Sequence, residues 1–490
     1  MGTDRESLVR RAVLVNSLGL IAKLGIPAVF LAITWLFGAS TFGRLVVALT
    51  AVQWISTAVA AGWMDAATVY VARALGDSTD FSADDGAGHR MAACVLRYTL
   101  VTAIAAAFVI HVLAGPIISR VFAPYTDLVP GIILLGWAII PESISRWVAG
   151  ICKAKFDMQP ELWLLGVGVP ASQLVTAFVV SATGGGIQEL IVGFVIGQFV
   201  VCACALLLVR RVLSLSHVFK VISSTRSREV LRFGLAQGMN LGANKYASRV
   251  DVLMLAAFGI PAWMVGWYST AAMITHELRQ VRIVFTTAFT PLVARYHAAS
   301  ERAAMSRTLT MLTRQAGTLG LFVAAASGLF VADILRLIEK DYTGSMFAAV
   351  LVAVPAISCL LGFSGTFLVA SGRSVVNLVN AVFVALLNMA LNAVWIPMFG
   401  LLGAALATLL AQLALVTLEN LELYKLEKVS FDVRSVWWLF FVGGMLVLAV
   451  AGALEQTFWV RLAVASVFVV VGLALTLTLR RQNSDVKTSQ

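Results

Sequence analysis

Ten charged side chains sit inside apolar stretches of this 490-residue chain: Lys23, Asp65, Glu142, Arg146, Lys245, Arg249, Asp251, Glu277, Arg279 and Arg282. At the centre of a bilayer each would cost about 2.5–3.5 kcal/mol on an insertion scale. Ten facing lipid would cost roughly 25–35 kcal/mol, more than the about 5–15 kcal/mol that holds a typical fold together. They must face water or one another. Six are bases and four are acids, so internal pairs such as Asp251 with Arg279 or Arg282 still leave base in excess. A cavity with excess positive charge attracts an anionic head group, and the planar fork of Arg suits phosphate. Lys23, Arg146, Lys245, Arg249, Arg279 and Arg282 are the candidate anion-binding set. The acids Asp65, Glu142, Asp251 and Glu277 have two readings. A carboxylate inside a membrane can carry a proton or hold a sodium ion, or it can neutralise a neighbouring base.

The elements that must position these charges are membrane spans. The chain is 60% hydrophobic and only 12% charged, against about 45–50% apolar and about 25% charged in a soluble domain. About 14 stretches reach the roughly 20 apolar residues that a span needs. Little chain remains for a soluble catalytic or nucleotide-binding domain. The ten charges fall in spans expected near 12–37, 44–71, 129–152, 230–257 and 263–291. On the last of these, Thr275, Arg279, Arg282 and Thr286 share one helical face, and Lys245 and Arg249 lie one turn apart on the span before it.

Loop charges set the orientation. With the N-terminus in the cytoplasm, 25 of the 36 Lys and Arg residues lie in cytoplasmic loops and ends and 5 in outer loops, Arg461 among them. That bias places both termini in the cytoplasm and explains most of the +11 formal charge without a nucleic-acid partner. Cys94, Cys152, Cys202, Cys204 and Cys359 have no zinc-like or disulfide-like spacing and read as small core residues. The sequence has no Walker-type phosphate loop, no His-Glu-x-x-His and no nucleophile elbow, so an enzyme is not expected.

The chain repeats itself. Thr68-Val69-Tyr70-Val71-Ala72-Arg73 matches Thr290-Pro291-Leu292-Val293-Ala294-Arg295 at 222 residues; Phe37-Gly38 matches Phe258-Gly259 at 221, and Gly43 matches Gly266 at 223. Gly186 and Gln198 match Gly400 and Gln412 at 214. Six spans separate the partners, so both halves have the same orientation about an axis along the membrane normal. This predicts an all-α polytopic membrane protein with lobes at 1–211 and 212–428 and an appended pair of helices at 429–490. Asn377, Asn380, Asn388 and Asn392 form a polar stripe of the kind that joins helices.

Two runs carry a family resemblance. Arg249-Val250-Asp251-Val252-Leu253-Met254-Leu255, followed by Val265-Gly266-Trp267-Tyr268-Ser269-Thr270-Ala271, resembles the mid-chain signature of bacterial polysaccharide flippases. Asn388-Met389-Ala390-Leu391-Asn392 with Ile396-Pro397-Met398-Phe399-Gly400 resembles their turn between spans 11 and 12. The family is that of O-antigen and exopolysaccharide translocases, within the multidrug/oligosaccharidyl-lipid/polysaccharide exporter superfamily. The resemblance implies two six-helix lobes around a central cavity. It implies movement of undecaprenyl-diphosphate-linked oligosaccharide from the cytoplasmic to the outer leaflet of the bacterial inner membrane by alternating access. By position, Lys23, Arg249, Arg279 and Arg282 look like the family's cavity bases. No bound cofactor is expected beyond a coupling ion, H+ or Na+. The expected partners are the lipid-linked substrate, membrane lipids and, for a monomeric carrier, a glycan polymerase of the same pathway. The rival readings are a peptidoglycan-precursor flippase, a multidrug exporter and a membrane-bound polymerase or ligase.

Overall fold

A computed structural model of the chain describes residues 25–75, 87–155, 157–210, 227–247, 249–338, 346–453, 459–471 and 474–475. The described residues are helical almost throughout. Among the described residues, eight helices are long and apolar enough to cross a membrane, or nine when one bent pair is counted as a span. Large apolar side chains stand exposed along them, for example Val101, Phe108 and Val112 on one helix and Val379, Phe383 and Leu386 on another. In water such a surface would be a liability; against lipid tails it is the solvated face.

The chain divides into two compact units, Met1–Gly266 and Trp267–Gln490. In the first, α1 (Gly25–Leu75) is interrupted at Gly38, whose φ of 77° and ψ of 167° only glycine adopts easily. Then follow α2 (Ala87–Val121), a 3₁₀ turn (Ala123–Leu128), α3 (Val129–Trp137) and α4 (Ile139–Ala154). A π-helical turn (Glu161–Gly168) leads into α5 (Val169–Ala182), and α6 spans Ile187–Val209. Next come α7 (Ser227–Ala247), α8 (Val250–Ala257) and α9 (Ala262–Leu278), whose first turn ends the unit.

Small residues let α7 approach α1 closely. Gly234, Gly238 and Gly242 recur every four residues, so they share one face of α7. A Cβ at Gly238 would fall 2.1 Å from the Ala58 carbonyl oxygen, and one at Gly62 would fall 2.5 Å from the Gly238 Cα. Backbone contact of this kind drives helix association where lipid supplies no hydrophobic force. On α4, Trp147 is fully buried and its Nε1 donates to the Ala92 carbonyl at 3.1 Å. Trp63, Trp147, Val148 and Ile151 form the centre of this unit's core.

The expectation of one continuous span over 230–257 is corrected. Arg249 has φ −139° and ψ 5°, outside helical geometry, and α8 starts afresh after it. Lys245 and Arg249 therefore do not share a face through a regular turn. The carboxylate of Asp251 instead accepts the Val252 N–H at 2.9 Å in the first turn of α8, where free amide donors favour an anion.

In the second unit, α10 spans Gln280–Ala298 and α11 Arg302–Ile338. α12 (Met346–Leu361) and α13 (Ser364–Ala370) meet at a 48° bend. α14 (Ser374–Phe399), α15 (Leu401–Glu427) and α16 (Val433–Ala453) follow, then α17 (Trp459–Val471). The asparagine stripe on α14 faces α15: Asn380 donates to Glu422, Asn388 to the Thr408 hydroxyl, and Asn392 to Asn388. Cys152, Cys202 and Cys359 are buried as core residues, but Cys204 is exposed on α6.

Candidate functional site

The first unit holds a partly open cavity of about 230 Å³ with polar and apolar lining. Helical periodicity builds it. α1 supplies Gln53 and Ser56, α4 supplies Glu142 and Arg146, and α6 supplies Phe194 and Gln198, each pair spaced to share a face. α5 adds Gln173 and α7 adds Lys245. On α4 the other face, with Ser143, Trp147 and Gly150, is buried in the core, which turns Glu142 and Arg146 toward the cavity.

Glu142 organises the charge. One carboxylate oxygen accepts from the Ser56 hydroxyl at 2.5 Å, and the other from Arg146 Nε at 3.0 Å. The two side chains are 22% and 28% exposed, so the pair is partly wet. Lys245 lies within electrostatic reach of Glu142, Arg146 and Arg249. A gap too small for a water molecule, lined by Gln53, Trp54, Lys245 and Arg249, adjoins the cavity and shares Gln53 and Lys245 with it. Among the described residues that line the two spaces, three bases stand with one acid.

Other sequence-derived candidates lie elsewhere. Asp65 accepts from Gln237 Nε2 at 2.8 Å, an α1–α7 contact outside the cavity lining. Asp251 is buried at the start of α8. Glu277, Arg279 and Arg282 belong to the second unit, and Lys23 lies outside the described residues.

Arg282 has a specific place there. Its Nη1 donates to the Gly362 carbonyl at 2.7 Å, at the bend between α12 and α13. Asn420 Nδ2 donates to the Leu361 carbonyl at 3.0 Å, and Ser364 Oγ donates to Asn420 Oδ1 at 2.8 Å. The buried carboxylate of Glu419 packs on Gly365, where a Cβ would lie 2.3 Å from its oxygen. These side chains supply partners that the interrupted helix cannot. Sequence reasoning missed the set because Glu419 and Asn420 fall near the end of an otherwise apolar helix. It also missed Asp333. This carboxylate forms a bidentate pair with Arg461, at 2.6 and 2.9 Å, and Arg461 is buried where an outer loop was expected.

Among the described residues, no group of three or more His, Cys, Asp or Glu is placed to hold a metal ion. At the level of sequence, no family model and no curated protein matches. Structure gives a different result. The lipid II flippase MurJ, in an inward closed conformation, superposes with a TM-score of 0.70 over 96% of this chain and 98% of that one, at 12% identity. The chain has that fold. It is shared with a multidrug resistance MATE family transporter of the MOP superfamily in an inward-facing conformation, with a TM-score of 0.69 over 86% of this chain and 99% of that one, at 14% identity. A MOP superfamily transporter from Pyrococcus furiosus, described by a reversed polarity of its binding pocket, matches with a TM-score of 0.53 over 92% of this chain and 96% of that one, at 14% identity. These three solved structures are of a flippase and two transporters.

Proposed function

We propose that this chain is a carrier that moves an undecaprenyl-diphosphate-linked oligosaccharide from the cytoplasmic to the outer leaflet of a bacterial inner membrane, for surface polysaccharide synthesis. The observation that carries the reading is the base-rich region in the first unit, where Arg146 and Lys245 line the cavity and Arg249 lines its adjoining gap. An anionic head group fits it and a cationic drug does not. The fold shared with a lipid II flippase supports transport of a lipid-linked substrate. Transport is by alternating access, and Glu142 is the acid best placed to couple a cation to it. The proposed architecture keeps about fourteen spans, in lobes 1–211 and 212–428 with an appended pair at 429–490, both termini cytoplasmic.

The test is a deletion strain analysed for lipid-linked oligosaccharides and surface glycan together. Loss of one surface glycan, with its lipid-linked units trapped on the cytoplasmic face, is the expected result. Unchanged glycans with altered drug tolerance would overturn it. The MurJ likeness favours one second reading, a peptidoglycan-precursor flippase. Lethality of the deletion, rescued by a known flippase of that precursor, would select it.

A further inference from the structure

The cavity in the first unit has a second chemistry besides its charge. Gln53, Gln173 and Gln198 reach it from three different helices. A primary amide both donates and accepts hydrogen bonds, as a sugar hydroxyl does. The Oε1 of Gln198 is buried and accepts no hydrogen bond among the described residues. Such an acceptor needs a donor. A carboxylate or an esterified diphosphate brings only acceptors, whereas a sugar O–H brings the donor that is missing. The volume also discriminates. Pockets for drug-sized ligands run about 300–1,000 Å³, and this one is about 230 Å³. It has room for one sugar ring.

We propose that this cavity is a subsite for a single sugar ring bearing one acidic substituent. The ring hydroxyls bond to Gln53, Gln173 and Gln198, and the acid lies toward Arg146 and Lys245. The inference rests on the reading of the chain as a glycan carrier and names the part of the substrate that enters this unit. A uronic acid and a sugar phosphate present the same chemistry.

The test uses the purified full-length chain in nanodiscs, titrated calorimetrically with glucuronate, glucose 1-phosphate, glucose and inorganic phosphate. At least one of the two sugar anions binds in about the millimolar range, tenfold or more tighter than glucose or inorganic phosphate. A preference for glucuronate assigns the acid to a sugar carboxylate; a preference for glucose 1-phosphate assigns it to the ring's own phosphate. Gln198→Leu and the milder Gln173→Asn each weaken the sugar anion at least tenfold and leave inorganic phosphate unchanged, with thermal melting reporting that the variants are folded. Inorganic phosphate binding as tightly as the sugar anions overturns the proposal, as does an unchanged affinity in both variants or no binding of either sugar anion. The deletion strain separates this inference from the transport reading. Sugar-anion binding that depends on the glutamines, with normal surface glycan in the deletion, retains the subsite and removes the flippase.

Discussion

Gly43 and Gly266 close one helix crossing from opposite sides. A Cβ at Gly43 would fall 1.8 Å from the Ala262 carbonyl oxygen, and one at Gly266 would fall 2.1 Å from the Ala39 carbonyl oxygen. Ala262 stands to Ala39 in sequence as Gly266 stands to Gly43. The contact is therefore self-complementary. Gly266→Ala should force the backbones apart and cost about 1–3 kcal/mol, read as a lowered melting temperature of the purified protein. Gly444→Ala, with open space around it, should leave melting unchanged. Equal melting of both variants would refute the close crossing.

Removing Arg282 should unsettle the bend between α12 and α13. Arg282→Ala strips the Gly362 carbonyl of its donor, a charge-assisted bond of about 1.5–3 kcal/mol. It also removes a cation near buried Glu419. In a double-mutant cycle, Glu419→Gln should cost less in the Arg282→Ala background than alone, with a coupling above about 0.5 kcal/mol. Additive effects on melting would mean that the two side chains act separately.

The pair of Arg461 and Asp333 should behave as a buried ion pair. Asp333→Ala is expected to cost about 3–5 kcal/mol, because it strands buried Arg461, whereas Arg461→Ala should cost less, because Arg336 lies 3.9 Å from Asp333. Lys at 461 should rescue little, since a point charge cannot replace a two-pronged contact. A variant that loses both charged groups should melt closer to the native protein than either single variant.

Arg146→Ala and Lys245→Ala should each reduce surface glycan well below the native level at unchanged protein abundance. Abundance comes from membrane immunoblots and glycan from gel analysis. Cys204→Ala, at an exposed position outside the cavity, should leave both unchanged. Full glycan production by both cavity variants would remove these bases from the transport path.

Much of the helical framework was legible in the sequence. α6 begins and ends where the apolar run between Gly186 and Arg210 does. The Asn380 and Asn388 contacts follow from a polar stripe on an apolar helix. The interruptions were not legible. Arg249 carries neither glycine nor proline beside it, so nothing local announces the break before α8. Arg461 read as a loop residue because its partner, Asp333, is 128 residues away. Glu142 and Arg146 were legible because their charges are expensive in an apolar run. Gln53, Gln173 and Gln198 were not, since an uncharged amide raises no such alarm. They gain meaning only when helices far apart in sequence aim them into one space.

Glu142 and Arg146 lie one turn apart on a single helix, and Arg461 finds Asp333 on a helix made earlier. A ribosome delivers the chain from its N-terminus. α4 therefore enters the bilayer carrying its own counter-charge, whatever has been made before it. α17 comes late and meets an acid already in place. Arg146 thus has its partner on its own helix as soon as that helix is made, and Arg461 finds its partner on a segment already synthesised.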